Sequence, residues 1–144
     1  MSRFAYSTAQ GFAGIPGLLP FIPIIILRTN NLNRIDLRVK VPALVDSGST
    51  VNVLPYDIGR QLGFVWNAEN PETPVIGTLY GLPALGVKLF VKVERYAPVQ
   101  LGFGWLQESD MNVPLLLGQT NFFDEFDVDF RKSTDYFEIV PVRS

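Results

Sequence analysis

The chain has 144 residues, with 12 Lys plus Arg, 14 Asp plus Glu, and neither histidine nor cysteine. That length supports one domain with one sizeable core, and the two absences exclude a Ser-His-Asp triad, a Cys-His pair, a disulfide framework and nearly every structural zinc site. A net charge of −2 with scattered cations argues against a nucleic-acid partner, and 47% apolar against 18% charged residues describes a packed domain rather than a disordered one.

No charged residue occurs between Phe4 and Leu27. A membrane span is nevertheless disfavoured, because Pro16, Pro20 and Pro23 each cost an interior helix about 3 kcal/mol. A secretory leader is disfavoured too, since no small-residue cleavage site follows Leu27. The expectation is an extended arm over residues 1–20, wrapping over something such as a partner chain, and then a buried strand over 21–27 rich in isoleucine. No Asn-x-Ser/Thr acceptor occurs. A chain without cysteine leaves the redox compartment open, with the cytoplasm as the default location.

Residues 34–41 alternate Ile35, Leu37, Val39 and Val41 against Arg34, Asp36, Arg38 and Lys40, the period of a half-buried strand. Asn30, Asn31 and Asn33 supply the turn before it. After Pro42, residues 43–45 read as a short buried strand running into Asp46-Ser47-Gly48. Residues 55–62 suit a short helix or turn with proline at its start, and residues 67–74 a polar loop. Residues 75–94 read as a hairpin punctuated by Gly77, Gly81 and Gly86. Residues 113–117 form a continuous apolar run ended by Gly118, as in a strand buried on both faces, and 119–126 suit a short helix. Alternation over 126–130, a turn at 131–134 and a last strand over 136–142 complete the reading. Short strands at close spacing with one or two helices indicate an all-β barrel or sandwich, with no internal repeat and no domain linker.

Asp-Ser-Gly alone is ordinary turn chemistry. Here Leu44-Val45 leads directly into the aspartate and residues 51–54 leave the turn as a second apolar run. The passage ALVDSGSTVNVLP resembles the active-site loop of the retropepsin-like aspartic proteases, single-lobe relatives of pepsin. Val113-Pro114-Leu115-Leu116-Leu117-Gly118, continuing into QTNFFDEF, resembles that family's second motif, an apolar run ending in glycine before a short helix. The resemblance covers residues 21–142. It implies a closed acid-protease-type β-barrel with one short C-terminal helix, and a flap hairpin over residues 75–93.

The activity it implies is endopeptidase chemistry without a cofactor or a metal. Hydrolysis by carboxylates needs two of them sharing a proton, one acting as base on a water while its protonated partner polarises the carbonyl. Like charges so close cannot both ionise cheaply, so such a pair titrates in two steps. The chain has one Asp-Ser/Thr-Gly; Ser109-Asp110-Met111 and Thr134-Asp135-Tyr136 lack the glycine and the apolar lead-in. The second carboxylate must then be Asp46 of another copy, which makes a homodimer part of the reading. By resemblance, Ser47 bonds across the dimer, Gly48 admits the shared water, and Ser49 and Thr50 support the loop. Gly77, Thr78, Leu79, Tyr80 and Gly81 form the flap that binds an extended peptide substrate. The family commonly closes its dimer with terminal strands, which makes the arm and residues 136–142 interface candidates. The chain departs from the family in having Ser47 where Thr is commoner and Gln119 where Arg is frequent; neither removes a needed group. An apolar flap without nearby cations implies hydrophobic side chains beside the scissile bond.

Other clusters have plainer explanations. Asp124, Glu125, Asp127 and Asp129 suit a solvated strand face better than a calcium loop. Phe122, Phe123, Phe126 and Phe130, with Phe103 and Trp105, suit a core. Gly102-Phe103-Gly104 lacks the remainder of a dinucleotide fingerprint. The competing functional readings are a catalytically silent dimeric binding module on the same fold, and an unrelated barrel whose Asp-Ser-Gly is only a turn.

Overall fold

The computed structural model describes residues 1–8, 18–29, 37–79, 81–107 and 113–143. In chain order its elements are β1 (Ser2–Ala5), β2 (Ser7–Thr8), β3 (Leu18–Leu19), β4 (Phe21–Arg28), β5 (Leu37–Val45), β6 (Asn52–Leu54), α1 (Tyr56–Gln61), β7 (Val75–Leu79), β8 (Leu82–Val93), β9 (Val99–Leu106), β10 (Leu115–Leu117), α2 (Phe122–Glu125), β11 (Phe126–Arg131), a 3-10 turn (Lys132–Thr134) and β12 (Tyr136–Pro141). The protein is mostly β, with two short helices, as the strand spacing predicts.

Six strands close into a barrel in the order β4-β5-β10-β6-β9-β8, with β8 returning to β4. β5 runs parallel to β10 and β6 parallel to β9, while the other neighbours are antiparallel. Closure leaves no edge in this layer. Ile22, Ile24 and Ile26 point inward from β4, and Val87, Leu89, Val91 and Val93 from β8, because a strand's side chains alternate between faces. Leu115, Leu116 and Leu117 are all buried, as an uninterrupted apolar run implies.

Residues 37–45 form one strand where the sequence suggests two separated by Pro42; residues 30–36 lie outside the described residues. Pro42 is tolerated because its partner across the ladder is Pro23. Pairing of β5 with β10 begins at Ala43, and that of β4 with β8 at Ile24, so neither missing N–H interrupts a neighbouring ladder. The expected burial of Leu37 is not found: it is 42% exposed, at the strand's outer end.

β8 shares one edge between two partners. Residues 82–85 pair with β7 and residues 90–93 with β4, so the β7–β8 hairpin leaves the barrel wall where Gly86 N donates to Pro74 O at 2.7 Å. A second sheet, in the order β1-β12-β11, packs Phe4, Phe137, Ile139 and Val128 against the barrel core. Of residues 1–20, Ser2–Ala5 therefore pair with β12 of the same chain, and β2 pairs with β3; residues 9–17 lie outside the described residues. The helix expected over 119–126 narrows to α2, since Gln119 and Thr120 are engaged in loop-to-loop bonds. Among the described residues no helix is long and apolar enough to cross a membrane.

Candidate active site

The site begins where β5 ends. Val45 is buried in the core, and the next residue, Asp46, turns out of the barrel half-buried. Its backbone nitrogen donates to Leu117 O at 2.9 Å, which ties the loop to the neighbouring parallel strand. Its Oδ1 accepts from Gly48 N at 2.9 Å and its carbonyl accepts from Ser49 N at 3.1 Å. These bonds are the Asx-turn pattern that Asp-Ser-Gly favours. They hold one carboxylate oxygen and leave Ser47 and Gly48 exposed at the tip.

The loop after β10 runs alongside the loop after β5. Gln119 N donates to Ser49 O at 2.8 Å and Thr120 N to Thr50 O at 2.9 Å, and Val51 bridges Thr120 in parallel. Gln119 Nε2 reaches Ser47 O at 2.7 Å, and Ser49 Oγ donates to Val51 O at 2.6 Å. Gly118 is required at this crossing, because a Cβ there would lie 2.6 Å from both Ser49 O and Val51 O. The structure thus brings Asp46, Ser47, Gly48, Ser49, Thr50, Leu117 and Gly118 into one unit, although the two segments are far apart in sequence.

A buried amide that sequence reasoning does not single out holds this unit to the barrel. Asn52 is fully buried; its Oδ1 accepts from Gly118 N at 2.7 Å and its Nδ2 donates to Gly102 O at 2.9 Å and to Asn121 Oδ1 at 3.3 Å. Asn121 Oδ1 also accepts from Gly102 N at 3.2 Å. The available signal is one amide inside the apolar run of residues 51–54, since a buried polar group must find partners.

Two cavities flank the loop. One, of about 520 Å³, contains Asp46 and Ser47 and is walled by Tyr6, Leu18, Leu44, Phe130 and Lys132. Burial pushes the Tyr6 phenol above its ordinary value. Phe130, expected in the core, is 38% exposed on this wall because β11 is an edge strand there. The other cavity, of about 320 Å³, lies beneath the hairpin and is lined mainly by apolar groups such as Ile76, Val87 and Phe103, but Lys88 and Glu72 also reach its wall, so the expectation of a flap without nearby cations is not met. Gly77 and Gly81 have φ of +123° and +75°, which suits glycine, and a register shift between Val75 and Gly77 bends the hairpin. Thr78 pairs with Pro83 and Leu79 with Leu82, which places Gly77, Thr78, Leu79 and Gly81 at the tip; Tyr80 lies outside the described residues.

Among the described residues no group of three or more Asp or Glu is placed to hold a metal ion. Asp127 and Asp129 are exposed on β11, and Asp129 pairs with Arg131 at 3.0 Å.

No family model and no curated protein matches the chain. Among solved structures it is similar to EIAV protease complexed with the inhibitor HBY-793, at 16% identity and a TM-score of 0.45 over 70% of this chain and 82% of that one. It is also similar to a retropepsin-like aspartic protease from Rickettsia conorii, at 20% identity and a TM-score of 0.49 over 85% of this chain and 94% of that one.

Proposed function

We propose that the protein is an aspartic endopeptidase whose active site forms when two copies bring their Asp46 carboxylates together. The observation that carries this reading is the setting of Asp46: a half-buried carboxylate in an Asx turn at the end of a barrel strand, opening on a cavity. The loop bonds to Leu117, Gln119 and Thr120 fix its direction, which lets the carboxylate act without reorganising.

In this reading one Asp46 is ionised and the other protonated. The ionised carboxylate takes a proton from water as the hydroxide oxygen attacks the peptide carbonyl carbon, and the protonated partner donates to the carbonyl oxygen. The tetrahedral diol then collapses: the carboxyl that took the water's proton gives it to the nitrogen as the C–N bond breaks, and the other carboxylate takes back a proton from a diol hydroxyl as the C=O bond re-forms. In this reading Ser47 and Gly48, exposed at the loop tip, would face the second copy's loop, and Ser49, Thr50, Leu117 and Gly118 support the loop from behind. An extended peptide would lie between this loop and the hairpin, bonded by exposed backbone near Gly77 and Gly81 as an added strand. The apolar cavity under Ile76 favours a hydrophobic side chain there.

The test is digestion of a mixed peptide library by the wild-type protein and by Asp46→Asn. Cleavage by the wild type, blocked by a statine-type inhibitor and absent in the variant, is the expected result. Equal cleavage by both proteins rules the reading out. So does absence of cleavage by a wild type that sedimentation shows to be dimeric, and that result favours the silent binding module.

A further inference from the structure

β12 is paired on both sides over residues 136–139, while Val140 and Pro141 pair with β11 alone. β1 pairs along one side of it over four residues and β11 along the other over six. β1 is anchored beyond this ladder as well. Ser2 is buried and its hydroxyl donates to Tyr96 Oη at 3.1 Å. Phe4 stacks on Phe137 with ring centres 5.5 Å apart, and Arg3 pairs with Glu138 at 2.9 Å while lying 4.2 Å from the Tyr136 ring centre. Tyr6 N donates to Asp135 O just past the strand. A strand from another molecule cannot enter beside residues 136–139 of β12 without first expelling β1.

The rest of this sheet is poorly suited to pairing. The β11 edge carries the exposed charges of Asp127, Asp129 and Arg131, which blunt an edge against added strands. On the outer face, Arg3 with Glu138 and Arg131 with Asp129 satisfy each other. The side facing Asp46 is different. Leu18 and Phe130 are each 38% exposed there, and half-buried Leu44 lines the same cavity as the aspartate. The nearby cation, Lys132, is directed onto its own chain, donating to Leu18 O at 3.4 Å and lying 4.6 Å from the Tyr6 ring centre.

We infer that two copies meet across this apolar rim, with Leu18, Leu44 and Phe130 of each surrounding the paired Asp46 loops, while β1 stays on the β12 of its own chain. The inference rests on the paired-Asp46 reading, and that reading names the occupant: among the described residues Asp46 is the one carboxylate on this cavity, and a second copy supplies the other. A stable interface buries roughly 800 Å² a side, a small share of the 8165 Å² the chain exposes.

The absence of cysteine gives a clean test, because introduced thiols can react only with each other. Arg3 and Glu138 are direct antiparallel partners, a spacing a disulfide accepts. The Arg3→Cys/Glu138→Cys double variant is expected to form a bond within one chain. The two single variants, refolded as a mixture and oxidised, are expected to show by mass spectrometry no disulfide between the chain carrying Arg3→Cys and the chain carrying Glu138→Cys; finding that bond overturns the inference. Phe130→Glu and, independently, Leu18→Glu are expected to raise the dimer dissociation constant by at least about tenfold in sedimentation with unchanged circular dichroism. Val65→Glu, at an exposed site outside the rim, is expected to leave it unchanged. A dimer indifferent to both rim variants contradicts the proposed interface. A wild type that stays monomeric at every concentration removes the interface and the paired-Asp46 reading together. A rim-dependent dimer that cleaves no peptide leaves the interface standing and removes only the protease.

Discussion

The side-chain oxygen of Asn52 accepts a hydrogen bond from Gly118 N at 2.7 Å, joining the strand that leaves the Asp46 loop to the loop that backs it. The same amide donates to Gly102 O on β9, so a single buried side chain ties three segments together. Replacing it strands a donor and an acceptor in the interior, each costing about 1–3 kcal/mol. Asn52→Leu should therefore lower unfolding free energy in urea by at least that amount. A variant within about 0.5 kcal/mol of wild type would show that the amide is not a structural hub.

Gly118 is held to glycine by contact rather than by φ. A Cβ would press on Ser49 O and Val51 O, both backbone atoms with little room to yield. Gly118→Ala should destabilise by about 1–3 kcal/mol, as overpacking does. It should also reduce peptide cleavage more than a comparably destabilising change on the far side of the barrel. Equal losses of stability and activity at the two places would separate Gly118 from the site.

The hairpin rests on a pair of glycines. Gly86 and Gly104 face each other across the β8–β9 ladder; a Cβ on Gly104 would lie 2.7 Å from Leu79 Cδ1, and one on Gly86 would lie 2.8 Å from Ile76 Cγ2. Gly104→Ala should push the Leu79 side chain off its seat on β9, loosening the hairpin tip while leaving the barrel intact. Amide exchange over residues 75–79 should accelerate, and KM for a peptide substrate should rise about threefold to thirtyfold, with a smaller change in kcat. Unchanged exchange in this segment would mean that the glycine pair does not seat the hairpin.

The parts of this protein legible in its sequence are those where the signal is local. Asp46-Ser47-Gly48 follows a buried dipeptide, and Leu115-Leu116-Leu117-Gly118 is an unbroken apolar run, so both loops and their strands can be read directly. β9 is harder to read: Leu101, Phe103 and Trp105 alternate, but Gly102 and Gly104 dilute the pattern, and Gly104 is kept small by hairpin side chains from another element. Pro42 suggests a strand boundary because nothing local reveals that its partner is Pro23. The union of β1 with β12 joins opposite ends of the described chain, a contact that no local pattern encodes. Phe130 has the composition of a core residue, and only its edge-strand position opens it to the Asp46 cavity. Asn52 is the instructive omission, since a lone amide in an apolar run should prompt a search for its partners.

In the proposed dimer one active site needs Asp46 from each of two chains, and subunit mixing decides whether it does. Wild type and Asp46→Asn are combined in equal amounts, allowed to exchange, and assayed at fixed total protein. Random pairing of a shared site predicts about one quarter of the activity of pure wild type, because only dimers with two intact aspartates act. About one half, the value for chains that work independently, would show that the site is not shared.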